Sequence, residues 1–194
     1  MAMFGTHLLS GAVFGGLYGC TGILCGFSLP SCVLSAGLLA VASLIPDLDT
    51  RSTVYKEVSL VLGICSALFV ALYFKGKSAE TAFLCGLGAY FVVRYGLCGI
   101  VLGFAKHRGM MHSVIAAAIF SLLAYLLLTG TQSVRAYEGL AVFLGYILHL
   151  LVDEAAGFGR ESFGSAFKFF GNSFILNVIL TISLMVLVLL VAFH

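Results

Sequence analysis

The sequence predicts an all-α, polytopic transmembrane helical bundle of about seven spans, and three observations lead to that prediction. Of the 194 residues, 61% are hydrophobic and 9% are charged, whereas a soluble domain carries roughly 25% charged residues. The mean hydropathy is +1.14, and apolar runs recur from end to end without a polar segment long enough for a soluble body. Strand patterns of the barrel type are missing, so helices must satisfy the backbone in lipid. We expect residues 1–194 to form a single membrane-embedded domain.

Short polar or proline-containing segments separate the apolar runs that we interpret as spans. In the first run, Gly11, Gly15 and Gly19 are four residues apart, which predicts a small-residue ridge where another helix approaches closely. The fourth run contains Arg94, and a guanidinium inside such a run is either functional or paired. We predict a polar turn at residues 129–138. The predicted spans are 8–29, 31–45, 58–74, 79–104, 114–128, 139–152 and 173–193.

Residues 107–113, with the sequence HRGMMHS, concentrate polar chemistry in a chain that has only five histidines. Residues five apart on one continuous helix point to different sides, so both imidazoles reach a common centre most easily if Gly109 marks a break. We therefore place His107 at the end of a connection and His112 in the first turn of the next helix. Backbone N–H groups at that helix start, where Ser113 lies, suit an oxyanion. The alternative is that the basic residues are ordinary juxtamembrane charges and the histidines lie at an interface.

Two pairs of residues add carboxylates to the candidate site. Asp47 and Asp49 follow Pro46, and on an extended segment residues two apart project to the same side, so the two carboxylates can share a cation. His149 and Asp153 are four apart, which places them on one helix face with about 6 Å between their Cβ atoms. That spacing suits two ligands of one metal, or a ligand and the group that orients it. A purely structural hydrogen-bonded pair is the alternative.

Counting spans brings these groups to one membrane face. Six basic residues on that face against three opposite favour its being cytoplasmic. If the first two runs formed one interrupted element, the parity would change and the convergence would fail. The residues predicted to converge are His7, Asp47, Asp49, His107, His112, His149 and Asp153.

Imidazoles and carboxylates together suit a divalent metal, with zinc favoured and manganese or iron as alternatives. A cation also offsets the cost of carboxylates shielded from water. Two divalent ions with three carboxylates would leave a local charge of about +1, favourable for a phosphoester, but one ion also fits. Arg108 and Arg94 could hold phosphate oxygens bidentately, and Ser113 adds a polar contact for the substrate. A metal-activated water would be the nucleophile, with Asp49 or Asp153 as base; the spacing does not decide which aspartate ligates.

At this point a resemblance can be stated. The chain contains four motifs, each flanked by apolar spans: Thr6-His7, the Pro46–Asp49 run, the HRGMMHS block and His149-xxx-Asp153. Together they resemble the YdjM-like family of inner-membrane, metal-dependent hydrolases, described as LexA-regulated. The resemblance covers roughly residues 5–155, and the HRGxxHS block is its most specific part. It implies a multi-pass protein of the bacterial inner membrane with a divalent-metal hydrolase site, distantly similar to zinc-dependent phospholipase C enzymes. Motif matching places the seven converging residues in ligand or catalytic positions. Met111 departs from the threonine expected in the block, and the run after Asp153 lacks an expected proline-containing segment.

Three functions from different classes are compatible with these patterns. The leading hypothesis is a hydrolase of a phosphoester or ester in a lipid or amphiphile, with membrane lipids as its partners. The second is a transporter or channel for a metal ion or a proton, which needs polar groups across the bilayer; only Arg94 lies deep in a predicted span. The third is a structural or regulatory protein whose metal staples the helices. A net charge of +2 is too small and too scattered for nucleic acid, and no oligomeric state is predicted.

Overall fold

The computed structural model describes residues 4–49, 53–104, 111–157, 169 and 174–192. Within these ranges almost every residue is helical and none lies in a strand, so the all-α prediction is confirmed. The helices are α1 (Phe4–Leu24), α2 (Leu29–Ala42), a 3₁₀ helix (Ile45–Asp49), α3 (Thr53–Tyr73), α4 (Ala79–Phe91), a π-helical turn (Val92–Leu97), α5 (Cys98–Phe104), α6 (Val114–Leu127), α7 (Gln132–Gly157) and α8 (Phe174–Ala192).

Each predicted apolar run corresponds to helical structure, but the helices differ in length. About 20 apolar residues are needed to cross a bilayer. Four segments of the described chain are long and apolar enough by length and composition, namely Phe4–Leu24, Tyr55–Tyr73, Ala79–Ile100 and Gln132–Gly157. Three shorter apolar helices accompany them, at Leu29–Ala42, Val114–Leu127 and Asn177–Ala192. The fold is therefore a membrane bundle with four full-length candidate spans and three shorter apolar helices.

The chain divides into two compact units, and the first comprises residues 1–46 and 108–194. In it, α2 packs against both α1 and α7, and α6 packs against α7 and α8. The predicted glycine ridge explains the close approach of α1 and α2, because a Cβ on Gly15 would lie 2.4 Å from the Ala36 carbonyl oxygen. On α7, a Cβ on Gly145 would lie 2.2 Å from the Leu39 carbonyl oxygen. Glycine thus lets two helices contact the backbone of α2 directly.

Two helix starts in this unit differ from the prediction. His112 does not lie in the first turn of α6, because the helix begins at Val114 with Ser113 as its N-cap. The Ser113 hydroxyl accepts a hydrogen bond from the Ala116 N–H at 3.2 Å, which is the capping arrangement that serine favours.

The predicted polar turn at 129–138 is also shorter than expected, since α7 already begins at Gln132. Thr131 accepts from the Val134 N–H at 3.3 Å and so starts the helix early. The ring of Tyr137 stacks on Tyr18 of α1 with 4.6 Å between centroids. Interior contacts therefore keep this polar stretch helical.

The second unit comprises residues 47–107. Here α3 and α4 form an antiparallel hairpin, and Ser78 caps α4 by accepting from the Thr81 N–H at 3.2 Å. A Cβ on Gly86 would lie 2.9 Å from the Ala67 carbonyl oxygen, so the two helices are in close contact. The predicted fourth span is helical as expected, but Arg94 lies in a π-helical turn within it.

The two aspartates after Pro46 do not have the predicted extended backbone. Ile45–Asp49 forms a 3₁₀ helix, in which three residues complete a turn. Residues two apart are then separated by about 240° around the helix axis, so the extended backbone predicted for this segment is wrong. The Asp49 side chain lies outside the described residues, and a cation shared by Asp47 and Asp49 stays a prediction. The division between the two units falls inside this short helix, after Pro46. A single domain over residues 1–194 stays a prediction.

Candidate metal centre

Four of the seven predicted ligands lie together in the first unit: His7, His112, His149 and Asp153. His7 comes from the first turns of α1, His112 precedes the cap of α6, and the other two lie near the end of α7. The helices alternate in direction, so these positions share one end of the unit. The three histidines are 0% exposed and Asp153 is 1% exposed. We call these four residues the His/Asp cluster; their role as metal ligands stays a prediction.

The carboxylate of Asp153 is the centre of this cluster. Its Oδ1 lies 3.3 Å from His7 Nε2, and its Oδ2 lies 3.7 Å from His112 Nε2 and 3.9 Å from His149 Nε2. The last two distances are too long for N–H···O hydrogen bonds, which are about 2.7–3.2 Å. Ligand bonds of about 2.1 Å in a tetrahedral site put neighbouring ligand atoms about 3.4 Å apart. One ligand atom each from His112, His149 and Asp153 lie within 4.8 Å of one another, which is close to that spacing.

A backbone contact fixes the tautomer of His149. Its Nδ1 lies 2.8 Å from the carbonyl oxygen of Ser43. A carbonyl oxygen can only accept, so Nδ1 carries the hydrogen and donates it. In the neutral ring this leaves a lone pair on Nε2, the nitrogen that faces Asp153. Histidines that bind metals usually have this arrangement, in which the second ring nitrogen donates to a carbonyl or carboxylate.

His7 is held through its backbone and its ring. The Ser43 hydroxyl donates to the His7 carbonyl oxygen at 3.0 Å, and the His7 ring stacks on His149 with 3.9 Å between centroids. Neither ring nitrogen of His7 makes a hydrogen bond with a described residue, although both are buried. Buried polar nitrogens are normally satisfied, and a cation beside the Asp153 carboxylate would satisfy Nε2, the His7 nitrogen that lies 3.3 Å from Asp153 Oδ1. The donor set and its geometry therefore fit a divalent metal.

Two residues that sequence reasoning missed support the cluster. Ser43 contacts both His7 and His149, as described above. Tyr146 is fully buried, and its hydroxyl donates to the Met111 carbonyl oxygen, which anchors the segment next to His112. The spacing of Tyr146 three residues before His149 on the same helix face was a usable signal.

The structure also describes four other predicted site residues. Asp47 opens the second unit and is 3% exposed, and Asp49 ends the 3₁₀ helix. Ser113 caps α6 with its hydroxyl, which is a structural contact. Arg94 belongs to the second unit. His107 and Arg108, both in the HRGMMHS block, lie outside the described residues.

Comparison with known proteins identifies the family of this chain. Neither curated proteins nor solved structures gave a match. The model of the family described as YdjM inner membrane protein matches residues 1–193, which is nearly the whole chain. This agrees with the resemblance read from the motifs and with a helical, apolar fold. The chain therefore belongs to the YdjM inner membrane protein family.

Proposed function

We propose that this inner membrane protein is a metal-dependent hydrolase whose metal is held by the His/Asp cluster. The observation that carries the proposal is the arrangement of three imidazole Nε2 atoms within 3.9 Å of one fully buried carboxylate. Such a carboxylate is costly unless a positive charge lies beside it. Three imidazoles and one carboxylate form the borderline donor set that suits zinc, with manganese and iron as alternatives.

The residues of the His/Asp cluster would have different roles. His7, His112 and His149 would hold the metal through Nε2, and Ser43 keeps the proton of His149 on Nδ1. A bound metal supplies a Lewis acid and lowers the pKa of a water to near neutrality.

Asp153 presents Oδ1 to His7 and Oδ2 to the other two imidazoles, so one oxygen can ligate while the other accepts a proton. Asp49 is the alternative base.

The substrate we propose is a lipid or other amphiphile with a phosphoester or an ester bond. Backbone N–H groups at the start of α6, two residues after His112, would stabilise a developing oxyanion. Arg108, beside them in sequence, would hold phosphate oxygens bidentately. A hydrolase buried among apolar helices meets amphiphilic substrates in the bilayer without drawing them into water, which supports a lipid over a soluble ester.

Metal analysis is the first test. The full chain, purified in detergent, should contain about one or two divalent ions per chain, and His112→Ala should lose most of that metal. His194→Ala is the matched control, because it removes a histidine that lies outside the proposed ligand set. Wild type without stoichiometric metal, or unchanged metal in His112→Ala, would refute the proposed site.

Activity is the second test. Wild type and His194→Ala, reconstituted in bilayers, should hydrolyse at least one member of a panel of lipid phosphoesters and carboxylic esters, and His112→Ala should not. Metal binding without any hydrolysis, combined with unfolding on chelation, would support the stapling role instead. Metal uptake into proteoliposomes would support transport.

A further inference from the structure

The second unit contains an apolar groove between α3 and α4 with a volume of about 370 Å³. Gly86 keeps the helices in contact beside it, since a Cβ there would lie 2.9 Å from the Ala67 carbonyl oxygen. The groove spans about 10 Å along α3, from residue 64 to residue 71. Its walls include Ile64, Leu68 and Ala71 on α3 and Phe83, Leu87 and Tyr90 on α4. We call it the α3/α4 groove.

Arg94 lies just beyond the Tyr90 end of this groove. A Cβ on Gly63, the residue before the groove-lining stretch of α3, would lie 3.1 Å from Arg94 Cβ. The guanidinium Nη1 donates to the Tyr90 hydroxyl. Its Cζ lies 5.4 Å from the Tyr90 ring centroid and 5.3 Å from that of Tyr95. Two aromatic rings therefore orient a cation at one end of the α3/α4 groove.

The charge of Arg94 is not compensated by the protein side chains that the structure describes. In the part of the chain that the structure describes, the carboxylate contacts found within 4.0 Å do not include one to Arg94. A guanidinium in a membrane-spanning segment is expensive and is normally paired. Arg94 also lies in a π-helical turn, a local irregularity that often marks a functional position.

We propose that the α3/α4 groove and Arg94 bind an anionic phospholipid. One acyl chain occupies the groove, and the lipid phosphate is held by the Arg94 N–H groups that do not contact Tyr90. The chemistry of the two parts decides the occupant: the groove accepts only an apolar chain, and the cation at its end selects a negative headgroup. The site lies within the second unit and uses none of the four residues of the His/Asp cluster, so it can be tested separately from the proposed hydrolysis.

Native mass spectrometry of the full chain, after delipidation in detergent, tests the proposal. Phosphatidylglycerol and phosphatidylcholine with identical acyl chains are titrated in parallel. Both lipids offer the phosphate, but the quaternary ammonium of phosphatidylcholine cancels its negative charge and is repelled by the nearby guanidinium. We therefore expect phosphatidylglycerol to bind roughly tenfold more tightly. Arg94→Gln should abolish that preference, and Arg94→Lys should keep part of it. Excess inorganic phosphate should not displace the lipid, since the acyl chain contributes to binding.

Arg135→Gln is the matched control. Arg135 also lies on a spanning helix with its Cζ 4.4 Å from a tyrosine ring, that of Tyr125, but it belongs to the first unit. It should therefore leave the preference unchanged. Leu87→Trp, which narrows the α3/α4 groove, should weaken the binding of both lipids by a similar factor. Equal binding of the two lipids to wild type, or equal losses in Arg94→Gln and Arg135→Gln, would overturn the proposal. Metal content is measured on the same samples. Metal retained by a variant shows that the variant is folded, whereas metal missing from wild type would refute the proposed metal site without bearing on the lipid proposal.

Discussion

Replacing Asp153 by asparagine tests the metal centre at the residue that all three imidazoles share. Asparagine keeps the size of the side chain but removes the negative charge and one ligand oxygen. Loss of a group that merely orients a ligand costs 10–100-fold in metal affinity, so loss of this ligand should cost at least about 100-fold. At a free metal concentration about 100 times the wild-type dissociation constant, the free energy of unfolding of the variant should therefore be lower by about 2.3 kcal/mol or more.

The assay compares thermal unfolding with and without a chelator, together with metal content. Wild type should lose stability when the metal is removed, whereas Asp153→Asn should show a much smaller chelator effect. Glu138→Gln is the matched control, because Glu138 is also a buried carboxyl on α7, 3% exposed, about 22 Å along the helix axis from Asp153. A chelator effect in Asp153→Asn as large as in wild type would refute the assignment of this carboxylate as a ligand.

Two further predictions concern packing and orientation. Gly15→Ala places a Cβ 2.4 Å from the Ala36 carbonyl oxygen, whereas Gly16 has no atom within 4 Å of such a Cβ; Gly15→Ala should therefore destabilise by about 1–3 kcal/mol in thermal unfolding and Gly16→Ala should not. Equal effects would contradict the ridge. Tyr146→Phe removes the hydrogen bond to Met111 and should weaken metal binding by roughly tenfold in chelator competition. Lower stability with unchanged metal affinity would limit Tyr146 to a structural role.

Hydropathy was enough to predict the helices, because a buried backbone in lipid leaves no other choice for long apolar runs. The start of α7 was harder to predict. Residues 132–138 are polar in composition, yet Tyr18 and Tyr137 donate their hydroxyls to each other's carbonyl oxygens, both at 2.8 Å. Such contacts stabilise a helix through a partner far away in sequence, and a composition window around residue 135 does not include that partner.

The cluster was predictable where helix periodicity or topology carried the information. The spacing of His149 and Asp153 follows from the helical repeat, and His7 was placed by counting spans. Ser43 could not be found in this way, because it orients His149 through a backbone carbonyl, a group that every residue has. The backbone after Pro46 was also out of reach, since a 3₁₀ turn and an extended segment are equally compatible with two aspartates two residues apart.

Gly11 lies one turn after His7 on α1, and a Cβ there would lie 2.2 Å from the Ser43 hydroxyl. That hydroxyl holds the backbone of His7, and the Ser43 carbonyl holds the proton of His149. A hydrogen atom in place of a methyl group at this glycine therefore sets the width of the helix interface and leaves room for the residue that positions both His7 and His149. A change in the distance between α1 and α2 would therefore also change the positions of these two histidines.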